Sequence, residues 1–169
     1  MDTDQRRKKS EHLWKQFIAE GIWQWACVDS GLFGEAKNCY VSGYYVATCI
    51  LCRVIIEDAL YGLYLQKRNE ESGPCYAIEK EKPNLEDLKK WAKEKGLIDK
   101  DTHDKIGFIQ ERGNIEAHGR TKKLIRLVEK DPEKPVRWVI EEREAFEQLK
   151  NMFQILINLY KKHANRIDL

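Results

Sequence analysis

CYVSGYYVATCILCRVIIEDALYGLYLQK, Cys39 to Lys67, is the stretch on which the fold turns. Its apolar residues point in nearly every direction of a helix, so a helix here is buried on both sides. The segment from Glu35 to about Lys67 is accordingly read as one central helix. The longest uncharged run, Cys39 to Cys52, is 14 residues. A membrane span needs about 20, so the run belongs to a protein core and no membrane is expected. Between Lys37 and Lys67 the only charges are Arg53, Glu57 and Asp58. Arg53 and Glu57 are four apart and share a helical face. Charges in a buried helix need partners, because desolvating them alone is costly.

Working outward, Glu70 to Pro83 contains Ser72, Gly73 and Pro74 and reads as a loop. An amphipathic helix follows, with Leu85, Leu88, Trp91 and Ala92 on one face and Gly96 as its C-terminal cap. Asp99 can cap a further helix running to about His118 and ended by Gly119. Asp131-Pro132 and Lys134-Pro135 mark a turn, and Val136 to Ile140 is compatible with a short extended piece. Phe146, Leu149, Phe153, Leu156 and Tyr160 repeat at 3-4-3-4 spacing and define the last helix. Upstream, Ser10 to about Val28 reads as a partly buried helix carrying Leu13, Phe17, Trp23 and Trp25, with Gly31 and Gly34 breaking the pattern. Arg6 to Lys9 reads as a solvated helix end. The expectation is a single all-α domain over residues 1–169, a bundle of about four to six helices.

The chain has 169 residues, enough for a core without staples. Thirty Lys+Arg against 28 Asp+Glu leave a net charge of +2, so nucleic-acid binding would have to rest on a local patch. Five cysteines and no secretory signal favour reduced thiols and a cytoplasmic location. Cys49-x-x-Cys52 lies in an apolar helix, where two small buried residues are a better reading than a redox pair. A zinc site would need two more ligands at suitable spacing, and no Gly-rich phosphate loop occurs. Neither metal nor cofactor is expected. His12, His103 and His163 lie in charged stretches expected to be exposed, and His103 and Asp104, as helix neighbours, are expected to point apart.

Residues 109–119 read Ile-Gln-Glu-Arg-Gly-Asn-Ile-Glu-Ala-His-Gly. This segment resembles the signature of the HEPN superfamily, an Arg, a nearby polar residue, then a His four to six positions on. Arg112, Asn114 and His118 match it. The likeness is strongest to small prokaryotic members with a central helix like Cys49 to Leu60, a helix like Leu85 to Gly96 and a Gly-Asn-x-x-x-His-Gly segment, and it covers roughly residues 35–162. It implies a helical bundle, a homodimer, and metal-independent cleavage of RNA, most readily single-stranded, in a defence or toxin setting. Some members carry a tyrosine two residues past the motif histidine, where a partner nucleotidyltransferase modifies them; here that position is Arg120.

The trio suits that chemistry. A histidine such as His118 can act as base or acid; Arg112 can grip phosphate bidentately; Asn114 can orient either by hydrogen bonding. Acid and base are two jobs, and a second motif across a dimer would supply the missing group. Asn114 and His118, four apart, share a helical face, whereas Arg112 and His118 stand about 120° apart on an ideal helix. Either Gly113 bends the backbone or the Arg side chain swings round. Arg53 and Glu57 are supporting candidates expected close enough to contact Arg112. Arg120, Lys122, Lys123 and Arg126 form a basic cluster that would track phosphates or simply face solvent. The alternatives are a non-catalytic HEPN module that binds nucleotide, RNA or a protein partner, and a purely structural helical dimerisation domain.

Overall fold

The structure is a computed structural model and describes residues 2–25, 27, 29–72, 82–118 and 141–167. Among these residues it is all helical: α1 (Thr3–Ala19), a 3-10 turn (Ile22–Gln24), α2 (Ser30–Val41), α3 (Tyr45–Ser72), α4 (Leu85–Glu94), α5 (Lys100–His118) and α6 (Glu142–Ile167). No helix among the described residues is long and apolar enough to cross a membrane.

α3 is the hub and packs against α2, α4, α5 and α6. Cys52, Ile56, Ala59, Leu60 and Leu63 on it have no solvent access. Burying each large aliphatic side chain contributes about 1.5–3 kcal/mol, so this one helix organises much of the core. Cys49 and Cys52 are buried and form no disulfide, and burial pushes the Cys52 thiol well above its ordinary range. That suits packing, not thiolate chemistry.

The region read as one helix from Glu35 to Lys67 is two. Gly43, at φ 83°, ends α2. Its N–H donates to Tyr40 O at 3.1 Å and the Tyr44 N–H to Cys39 O at 2.8 Å, the paired bonds of a Schellman turn. Gly31 and Gly34, read as breakers, lie inside α2. Asp29 caps that helix, its Oδ1 accepting from the N–H of Gly31 at 2.7 Å and of Leu32 at 3.1 Å. The cap and the burial of Phe33, Ala36 and Tyr40 outweigh a glycine cost of about 1 kcal/mol each.

α1 begins and ends earlier than the pattern implied, because Asp2 caps it and Gly21 turns the chain after Ala19. Arg6 is therefore inside a helix and not at a solvated end. Its Nε donates to Val41 O at 2.9 Å, and its Nη1 lies 3.7 Å from Glu142. His163 is another correction: it is buried, 5.8 Å from the Trp25 ring, with Nε2 3.4 Å from Gln66 Nε2. The apolar series Phe153, Leu156, Tyr160 simply continues one turn to His163. His103 and Asp104 also meet, Nδ1 to Oδ1 at 3.2 Å, although they are neighbours on the helix.

α4 and α5 start where their caps sit. Asn84 accepts from the Asp87 N–H at 3.1 Å, and Asp99 from the Thr102 N–H at 2.8 Å. The basic cluster Arg120, Lys122, Lys123 and Arg126, Gly119, Cys75 and the stretch 136–140 lie outside the described residues.

Candidate functional site

The candidate motif sits on the last two turns of α5. Thr102, Ile106, Ile109 and Gly113 form the buried face of this helix, at the 4-3-4 spacing that one helical face requires. Gly113 does not interrupt the helix. Its role is close approach: a Cβ there would lie 2.6 Å from Arg53 Cδ and 2.7 Å from Arg53 Cβ. The aliphatic stem of Arg53 thus lies directly on the α5 backbone. The helix runs on through Gly113, and the glycine makes room for Arg53.

Arg112 then leans to the flank facing α6, where Nη2 donates to Glu144 Oε2. The two side chains are 26% and 28% exposed, so the pair sits at the rim of the seam. Arg112 Nε is shielded from water and makes no hydrogen bond among the described residues. The fork of donors on this guanidinium is thus half used.

Arg53 turns along its own helix, with Nη2 3.2 Å from Glu57 Oε2. Glu57 therefore answers Arg53, and the counterpart of Arg112 comes from α6. Of the two supporting candidates, Arg53 reaches the motif through its stem on Gly113, whereas Glu57 does not pair with Arg112. Asn114 is half-buried and stands about 200° round the helix from Arg112, away from the α6 seam. His118 is the last residue of α5, one turn beyond Asn114 on its side of the helix; its side chain is not among those described. By helix position, 112 thus lies on one flank of α5, and 114 and 118 lie on the other.

Glu144 escaped the sequence reading. A signal exists: it lies four residues before Gln148 and eleven before Ile155, both fully buried, so it begins a stripe that faces the core. It also belongs to the first turn of α6 together with Glu142. Each of these acids holds an arginine from another helix, Glu142 with Arg6 and Glu144 with Arg112. Beside them the buried Tyr40 hydroxyl is pushed up to about 12, by burial first and then by the charge of Glu142.

Compared with protein-family models, with curated proteins and with solved structures, the chain matches none. The likeness to HEPN domains therefore rests on the residues of the motif and of the two helices quoted for it.

Proposed function

We propose that the chain is a HEPN-type ribonuclease that cleaves RNA without a metal, working as a homodimer in which two α5 ends face each other. The observation that carries this reading is Arg112: a side chain at the rim, 26% exposed and held by one carboxylate among the described residues, on the same helix end as Asn114 and His118. In the reaction the 2′-oxygen attacks the adjacent phosphorus as its proton passes to a base. The bond to the 5′-oxygen breaks, and that oxygen takes a proton from an acid, leaving a 2′,3′-cyclic phosphate and a 5′-hydroxyl. Arg112 steadies the charge that builds on the phosphoryl oxygens. His118 supplies one proton-transfer group, and His118 of a second copy supplies the other. Positions 112 and 118 stand about 120° apart on an ideal helix, which favours such sharing.

The test is cleavage of single-stranded RNA in the presence of a chelator. The native protein should yield cyclic-phosphate ends, and His118→Ala should yield none while keeping its helicity. Ligand binding without turnover would instead favour the non-catalytic module for nucleotide, RNA or a protein partner.

A structural reading has an observation of its own, the ion pair by which Arg112 ties α5 to α6. On that reading Arg112→Ala lowers the melting temperature, and neither protein binds RNA.

A further inference from the structure

We infer that Glu144 is an internal competitor for the anion that Arg112 binds: it holds the guanidinium in the resting protein and is displaced when a phosphate group arrives. The inference rests on the reading of Arg112 as a phosphate-gripping residue and adds the regulation of that same site.

A carboxylate and a phosphate address an arginine through the same forked donors. Glu144 takes Nη2, while Nε, the other donor on that edge, makes no hydrogen bond among the described residues. A phosphoryl group brings more negative charge than a carboxylate and a third acceptor oxygen, so it competes with Glu144 for Nη2. Displacement is also cheap. Both side chains are roughly a quarter exposed, so neither has to be drawn out of a core. Glu144 lies in the first turn of α6, where the helix N-terminus favours a negative charge whether or not Arg112 stays.

The neighbouring pair shows what a fixed tie looks like. Arg6 is 13% exposed at its side chain and, besides approaching Glu142, donates to Val41 O and to the Tyr45 hydroxyl. Arg112 has one carboxylate and no such anchors among the described residues. Of the two arginines that pair with Glu142 and Glu144, Arg112 is the one with no further anchor among the described residues.

Glu144→Gln keeps the shape of the side chain and removes its charge. With inorganic phosphate as the probe and the full chain in the calorimeter cell, this variant should bind about two- to fivefold more tightly than the native protein. The gain should disappear in Glu144→Gln combined with Arg112→Gln. Affinity equal to or weaker than native overturns the inference, and so does a gain that survives loss of Arg112. Should Glu144→Gln fail to fold, Glu144→Asp withdraws the carboxylate by one methylene and should bind phosphate more tightly than native by a smaller factor; no gain there is equally fatal. The outcome separates from that of the ribonuclease reading. A gain that depends on Arg112, in a protein that cuts no RNA, keeps the competitor and removes the enzyme. RNA cleavage with no gain keeps the enzyme and removes the competitor.

Discussion

Gly107 and Gly113 stand on the same helix, six residues apart, and do different jobs. Among the described residues, a Cβ on Gly107 would meet only Lys89 Nζ, at 3.9 Å, whereas one on Gly113 would collide with the stem of Arg53 at under 3 Å. The first half of α5 is an ordinary capped helix laid on the core. The second half is pressed onto a charged residue of α3, and that closeness sets Arg112 on the rim. One helix thus has room at one glycine and none at the other.

The largest effect expected on α5 lies in the ordinary half. Ile109 is fully buried, and Ile109→Ala should cost about 2–5 kcal/mol in urea unfolding. A cost below about 1 kcal/mol would mean that α5 is not seated as described.

The two glycines come next and test the comparison directly. In Gly113→Ala the new methyl meets Arg53 Cβ, which is rooted in the α3 backbone and cannot swing aside. Overpacking of this kind costs about 1–3 kcal/mol, against a helix-propensity gain of about 1 kcal/mol. A net loss of stability should remain. Gly107→Ala has room and should be stabilising by up to about 1 kcal/mol. Opposite signs in parallel thermal melts support the contrast, and equal signs break it.

Much of this arrangement is legible in the sequence because it rests on periodicity and caps. The 3-4-3-4 series of α6, the amphipathic α4 and the Asp99 cap of α5 each follow from local rules. The break at Gly43 was missed because the apolar pattern runs straight through it; the stop is set by a left-handed backbone, which leaves no trace in hydrophobicity. The site was half legible. Arg112 and the polar spot at Arg53 and Glu57 stand out as charges, but which acid answers which arginine depends on how α5 and α6 lie side by side. Arg53 took Glu57 from its own helix, at i,i+4, and Arg112 took Glu144 from 32 residues away. Only the fold could make that second choice.

Asp99 measures how the ordinary half of α5 begins. The Thr102 backbone N–H beside its carboxylate holds the group below the usual range. A lowered folded-state value means stability that is present above the unfolded value, near 4, and lost as pH falls through the lower folded one. Asp99→Ala should cost about 1 kcal/mol near neutral pH, and Asp99→Asn, which still caps, clearly less. The difference between native and Asp99→Ala should shrink in melts taken below about pH 3. A difference that persists undiminished there would assign the loss to something other than the charged cap.

The smallest expected effect on stability falls on the part of the helix that matters most to the proposed chemistry. Arg112 and Glu144 form a pair at the rim, and exposed pairs couple by about 0.2–1 kcal/mol. A double-mutant cycle with Arg112→Gln and Glu144→Gln, read by urea unfolding, should give a coupling within that range. Such a value means that the pair is weak enough for another anion to take its place. A coupling of several kcal/mol would mark a structural clasp and make displacement by phosphate too costly. In a site built for exchange, a helix end gives up little stability when its ion pair is removed, while RNA cleavage should vanish with Arg112. In a site built for support, the two losses should rise and fall together. Comparing both quantities for the same four proteins therefore separates a functional arginine from a structural one.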